Sequence, residues 1–390
     1  MWRRAGLVLA CLGYSALALG SGIDRISAQS PGLAASVPAF FASEALRARG
    51  GQALAAGQAR EAATLGLAAI DDAPTDPQST AMLGAGRLAS GDRGGAEVAF
   101  RVAGKLGWRV PVTQGYWMNR ALAAGDYEIA AMRLDALLRQ QPALHRQRAL
   151  LDPMERNPAG RSALIERMKA APAWLTKYAG DVYDLPADVM LQRVSVLTEA
   201  AQDGLVLGCP TIAPSINRLA MLKLFREGSR LWRRHCPAAG SGLVGDGRFA
   251  MVQPGEQASA FAWELLGNNG LTLAFVQSPA RPGKRLIIEG SAATVRPVLS
   301  QLLALGPGRY TLSWRSGDSQ DRPSPALLAA LPCQGDAPQW LAPRLDRASM
   351  RWRAAVTVDA SCAAQVLMFG AGPSDGDLWL EDVRIEAGGP

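Results

Sequence analysis

Three short segments of this chain line up at a fixed interval: Gly57-Gln58-Ala59-Arg60-Glu61-Ala62, Gly91-Asp92-Arg93-Gly94-Gly95-Ala96 and Gly125-Asp126-Tyr127-Glu128-Ile129-Ala130. Their glycines are 34 residues apart, from 57 to 91 and from 91 to 125. A period of this length marks stacked supersecondary units, none of which can bury its apolar face alone. The glycine serves a turn that reverses the chain. The alanine five residues later lets two paired helices approach closely.

Other positions keep the same step. A small residue falls on Gly50 and Gly84, with Met118 in the third unit. The apolar position after the alanine is Phe100 and Leu134, with Gly66 departing, and the next is Ala69 and Ala103, with Leu137 departing. A closing proline stands at Pro74 and Pro142, with Trp108 between them. Over about 42–142 this set resembles the tetratricopeptide repeat family. The resemblance implies an α-solenoid packed through Gly50, Ala62, Gly84, Ala96, Phe100, Ala130 and Leu134, and a protein partner held by the repeats. Helical spacing continues at 162–170, 187–207 and 215–234, with Pro186 and Pro214 where helices can begin. These read as degenerate repeats that extend the helical domain to 236.

At Cys236-Pro237 the texture changes. Residues 237–244 read as a linker. Beyond them come short alternating apolar segments at 261–265, 271–276, 285–288, 298–304, 308–315, 350–358, 365–369 and 378–385. Asn269-Gly270 is a hairpin signal between the first two. About eight strands indicate an antiparallel jelly-roll β-sandwich over 245–390. The phrases Phe261-Ala262-Trp263-Glu264, Pro307-Gly308-Arg309-Tyr310-Thr311-Leu312-Ser313-Trp314 and Leu378-Trp379-Leu380-Glu381-Asp382-Val383 resemble the galactose-binding-like, carbohydrate-binding-module sandwiches. That resemblance implies a fold more than a ligand. The expected class is thus multidomain α + β: a leader at 1–25, a linker at 26–41, helices at 42–236 and the sandwich.

The leader is Trp2-Arg3-Arg4 followed by an uncharged, mainly apolar run over 5–23. It reads as an inner-membrane anchor, as a signal peptide cleaved after Ala18 or Gly20, or, through Val8-Leu9-Ala10-Cys11, as a lipoprotein box. Each places the remainder outside the cytoplasm, in the periplasm or, after signal cleavage, secreted as a soluble protein. Setting Cys11 aside, Cys209, Cys236, Cys333 and Cys362 fall two to a region, so Cys209–Cys236 and Cys333–Cys362 are the expected disulfides. Without a C-x-x-C pair, metal binding is not expected.

The net charge is +7, but the arginines are scattered along the chain, with no basic block interleaved with aromatics, so no nucleic-acid partner is expected. Gly240-Ser241-Gly242-Leu243-Val244-Gly245 matches a dinucleotide fingerprint outside the strand-to-helix setting that gives it meaning, and no cofactor is expected. His145 and His235 have no nucleophile elbow to serve. Glu381 and Asp382, as strand neighbours, are expected on opposite faces, and Asp375, Asp377, Asp181 and Asp184 read as turn and cap residues. The reading is therefore non-catalytic.

Of the ten tryptophans, Trp263, Trp314 and Trp379 lie in apolar strands and read as core. Trp340 and Trp352, with Arg351 and Arg353, are the candidate glycan contacts. The function these readings converge on is a binding or assembly protein serving exopolysaccharide or envelope polysaccharide synthesis or export. A pure protein–protein scaffold and an unrecognised glycan hydrolase are the alternatives.

Overall fold

The computed structural model describes residues 2–38, 42–252, 259–267, 270–374 and 376–388, so Asn269 and Asp375 lie outside the described residues, as does part of the 26–41 linker. The chain forms two compact units, 1–154 and 155–390.

The first unit opens with α1 (Trp2–Ser27) and a 3-10 turn, Pro31–Ser36. Three helix pairs follow: α2 (Ser43–Ala55) with α3 (Ala59–Asp72), α4 (Pro77–Ala89) with α5 (Arg93–Leu106), and α6 (Pro111–Ala123) with α7 (Tyr127–Gln140). First helices start at 43, 77 and 111, and second helices at 59, 93 and 127, which is the 34-residue step of the sequence. The local causes repeat as well. Gly57, Gly91 and Gly125 turn the chain at φ of 76°, 90° and 73°, a region in which a side chain is strained. Asp92 and Asp126 then accept the backbone N–H of Gly95 and Ile129 as N-caps. Pro77 and Pro111 open first helices, where the missing N–H costs nothing.

Ala62, Ala96, Ala130 and Leu134 are fully buried. Phe100 fills the space over Gly84, where an added Cβ would meet its ring at 3.1 Å, and Gly50 leaves room for Met82 in the same way. Gly66, which breaks the apolar pattern, has a structural cause. A Cβ there would stand 2.6 Å from the backbone nitrogen of Leu83, and one on Gly86 would stand 2.5 Å from that of Ala63. The backbones of α3 and α4 touch through these two glycines.

α1 ends inside this unit. Asp24 is 6% exposed, and its carboxylate accepts the N–H of Glu44 and Ala45 at 3.1 and 2.9 Å, capping α2 from another helix. The side chains of residues 2–9 lie outside the described residues. Among the described residues no helix is long and apolar enough to cross a membrane, so the anchor expected over 5–23 is without support there.

α8 (Arg148–Arg156) closes the first unit, its last two residues opening the second, whose helices are α9 (Pro158–Lys169), α10 (Trp174–Gly180), α11 (Ala187–Gln202), α12 (Cys209–Met221) and α13 (Phe225–His235). The helix expected over 215–234 is two helices, because Lys223 takes a φ of 60° between them, and Pro214 lies inside α12 rather than at its start. Cys209–Cys236 ties the start of α12 to the end of α13, and Cys333–Cys362 forms in the sandwich. Two disulfides fit an oxidising, extracytoplasmic compartment.

Among the described residues ten strands follow: β1 (Glu264–Leu265), β2 (Thr272–Gln277), β3 (Lys284–Glu289), β4 (Arg296–Leu303), β5 (Gly308–Asp318), β6 (Leu327–Ala330), β7 (Arg344–Asp346), β8 (Arg351–Val358), β9 (Gln365–Ala371) and β10 (Leu378–Ala387). They form two antiparallel sheets in the orders β1-β4-β9-β6 and β2-β3-β10-β5-β8-β7. Inward residues of both, among them Val298, Leu312, Trp314, Leu367, Phe369 and Leu380, share one core. All eight expected strands are present, and the short β6 and β7 were not foreseen. The hairpin expected at Asn269-Gly270 is corrected: β1 pairs with β4 and β2 with β3, so that segment joins strands of different sheets. Residues 237–244 are not a bare tether, since Ala239 and Val244 are buried.

Candidate functional site

Strand alternation decides which side chains the six-stranded sheet turns away from the core. On β5 the inward residues are Leu312 and Trp314, so Ser313 and Arg315 face out. On β8 the inward residues are Trp352 and Ala354, so Arg351 and Arg353 face out. Trp352 is 9% exposed, beside its cross-strand neighbour Trp314 in the core, and the exposed role expected for it is corrected. Trp379 is corrected the other way. It lies on the outer face, half-buried, with its Nε1–H donated to the Asp318 carbonyl at 2.9 Å and the Arg285 guanidinium 3.9 Å from its ring centre. Trp340 packs over Gly370 beside the four-stranded sheet, so the structure does not bring it together with Arg351 and Arg353.

β10 breaks its alternation between Glu381 and Arg384, where Asp382 adopts a φ of 52° in a bulge. The expectation that Glu381 and Asp382 face opposite ways therefore fails: both line one pocket of about 60 Å³ on the outer face. Each carboxylate is held. Glu381 accepts from Ser278 at 2.7 Å and Arg285 at 3.2 Å. Asp382 accepts from Arg351 at 2.6 Å and Arg384 at 2.9 Å. Burial alone would raise the Asp382 carboxyl, but the hydrogen bonds and charges of Arg384 and Arg351 outweigh it and hold the group below the usual carboxylate value.

The same pocket is lined by Arg248, Arg281, Lys284 and Arg384, four cations against two carboxylates. Gly283 brings them together. A Cβ there would meet the Arg248 carbonyl at 2.5 Å, and Lys284 N–H donates to that carbonyl at 2.8 Å. Beside the pocket, Arg315 has a buried Nε with no hydrogen-bond partner. Burial and then the Arg281 charge push its guanidinium below the usual value. Positive charge is thus in local excess around a small space. Arg353 sits apart and exposed, 3.1 Å from Asp346. Among the described residues no cluster of three or more potential metal ligands occurs.

The first unit carries a larger cavity, about 650 Å³, along its first helices. Arg47 of α2, Met82 of α4 and Val112 of α6 line it, with Arg109 at its wall. Arg47 is fixed by Glu44 and by Asp76, the N-cap of α4.

No known protein family and no curated protein matches the sequence. Among solved structures the chain is similar to a CBM4 carbohydrate-binding module, at 12% identity over 37% of this chain and 99% of that one, with a TM-score of 0.27. It is also similar to TmCBM61, solved with β-1,4-galactotriose, at 11% identity over 32% and 88%, TM-score 0.22. A third match is a protein from Bacteroides thetaiotaomicron described as a candidate sugar binder, at 12% identity over 34% and 90%, TM-score 0.23. At these values the sheets and side chains above have to carry the functional reading.

Proposed function

We propose that this chain is an exported, non-catalytic binding protein that recognises an acidic polysaccharide through the outer face of its six-stranded sheet. The observation that carries the reading is the surplus of cations at the pocket of Arg248, Arg281, Lys284 and Arg384. A carboxylate or sulfate on a sugar supplies the missing charge and accepts several hydrogen bonds at once. A general acid in glycoside hydrolysis needs a raised pKa, whereas Asp382 is held low by its arginines. The helix pairs of the first unit, as a tetratricopeptide-type array, dock a protein segment in the cavity along α2, α4 and α6. A role beside a polysaccharide synthesis or export system follows from the two together.

The test is affinity electrophoresis of the full chain in gels containing alginate, a polyuronate, or neutral dextran. Alginate should retard the protein and dextran should not, and added salt should weaken the effect. Arg248→Glu and Arg281→Glu, both at exposed positions, should abolish it without unfolding the chain. If alginate fails to retard the wild type, the acidic-glycan reading is wrong. The protein–protein scaffold then takes its place, a reading favoured by one observation: among the described residues of the sandwich no aromatic ring is strongly exposed.

A further inference from the structure

The outward positions of the six-stranded sheet fall into rows that run across its strands, because register partners on neighbouring strands point the same way. One row is Arg344 of β7, Arg353 of β8, Ser313 of β5 and Arg384 of β10, each the register partner of the next. It sets three arginines in line over four adjacent strands, and the fourth residue is small. Arg344 is exposed, and the side chains of Arg353 and Arg384 are 52% and 47% exposed. At about 4.8 Å from strand to strand the row spans about 14 Å. Its β10 end runs into the basic pocket, since Arg384 lines that pocket with Arg248, Arg281 and Lys284.

The neighbouring rows differ. On one side stand two register pairs, Asp346 with Arg351 and Arg315 with Glu381. Charge is matched there: Arg351 pairs with Asp382 at 2.6 Å, and Glu381 with Arg285 at 3.2 Å. Arg351 also donates to the Ser313 hydroxyl at 3.1 Å, so it lies under the middle of the arginine row as a buried support. On the other side stand Ala355, Thr311 and Glu386, with one carboxylate and no cation. Positive charge is therefore left over in the row between them. Asp346 meets Arg353 at 3.1 Å and Asp382 meets Arg384 at 2.9 Å, yet a guanidinium has five N–H groups and each carboxylate leaves some of them unused. Among the described residues Arg344 takes part in no ion pair.

Arginines spaced by one and by two strand steps match a ligand that carries negative charge at intervals along its length. In a 1,4-linked polyuronate every sugar bears a carboxylate, and one pyranose unit advances the chain by about one strand step. The planar fork of arginine takes such carboxylates two hydrogen bonds at a time. A glycan with a single acidic end group would fill the pocket and leave the row idle.

We propose that an acidic polysaccharide lies across the strands, with one carboxylate in the basic pocket and later ones on Arg353 and Arg344, so that the sheet reads a run of about four consecutive uronates. This rests on the acidic-glycan reading and adds to it the length, the direction and the repeated charge of the ligand.

The test is titration calorimetry of the full chain at low salt with oligogalacturonates of increasing length, from the single sugar upward. Affinity should rise with length and level off at about four sugars. Arg344→Ala and Arg353→Ala should each weaken binding of the long oligomers about threefold, the worth of an exposed charge pair, and flatten the dependence on length. Arg309→Ala removes an exposed arginine from the same face outside the row and should leave that dependence in place. All three positions are exposed, so the variants should melt with the wild type. Full affinity already at the single sugar overturns the extended site while the pocket reading stands. An equal loss in Arg309→Ala overturns it too, because the sheet then responds to charge alone, and so does an oligodeoxynucleotide bound as tightly as an oligouronate of the same length. If no oligouronate binds, the extended site and the acidic-glycan reading fall together.

Discussion

Replacing Gly66 by alanine sets two effects of opposite sign against each other. A glycine inside a helix costs about 0.5–1 kcal/mol relative to alanine, so helix propensity alone makes Gly66→Ala stabilising. The structure says otherwise. The new Cβ would stand 2.6 Å from the nitrogen and 2.8 Å from the Cα of Leu83 in α4, whereas non-bonded carbon contacts settle near 3.5–4.0 Å. The obstacle is backbone and cannot rotate away, so α3 and α4 must separate by most of an ångström. Overpacking of this kind costs about 1–3 kcal/mol, which offsets or exceeds the propensity gain and leaves a net loss of up to about 2.5 kcal/mol. Gly115 in α6 is the control, because a Cβ there meets nothing within 4 Å. Gly115→Ala should stabilise by up to about 1 kcal/mol. Urea denaturation of the full chain, followed by far-UV circular dichroism, reads both. The difference between the variants isolates the packing cost, since the propensity term is common to them. A Gly66→Ala protein as stable as Gly115→Ala would refute the close approach of α3 to α4.

Three further outcomes are expected. Arg351→Met removes one side of a buried ion pair at 2.6 Å and should cost about 3 kcal/mol in urea denaturation, the low end for such a break because Arg384 still holds Asp382. His235 is buried, and its ring nitrogens meet the Leu197 carbonyl at 2.9 Å and the Leu207 N–H at 3.3 Å. Burial and the Arg234 charge hold it below its usual value against the Leu197 hydrogen bond, so its stabilisation is present above the unfolded value near ~6.5 and is lost as pH falls through the folded value; a urea midpoint that does not drop between neutral and mildly acidic pH would contradict this. Trp314→Ala should lose about 3–5 kcal/mol of stability, and Trp379→Ala clearly less, because Trp314 is fully buried in the core and Trp379 lies on the outer face; equal thermal losses would put both rings in the core.

Much of this protein is written locally. The 34-residue step places six helices, because a left-handed glycine, followed in two of the three units by a capping aspartate, ends one helix and begins the next without help from distant residues. Alternation marks eight strands in the same way, and the two nearest cysteine pairs find each other. Gly66 looked like decay of the pattern because a sequence shows what a residue lacks, not which backbone needs the space. In the sandwich, neighbours in sequence are divided between sheets: β1 and β2 follow one another and pair with different partners. Local periodicity says that side chains alternate, but only long-range pairing says which side is the core. Trp352 therefore turned inward, Trp379 outward, and Trp340 onto the other sheet. A one-residue bulge at Asp382 reversed the phase and set two carboxylates among arginines drawn from β3, β5, β8 and β10. The sequence by itself determined the repeat helices and the longer strands and their order, since those depend on turns, caps and periods within a few residues. The tertiary structure alone decided the basic pocket and the arginine row beside it, because each is assembled from segments far apart in the chain that meet only when the sheets assemble.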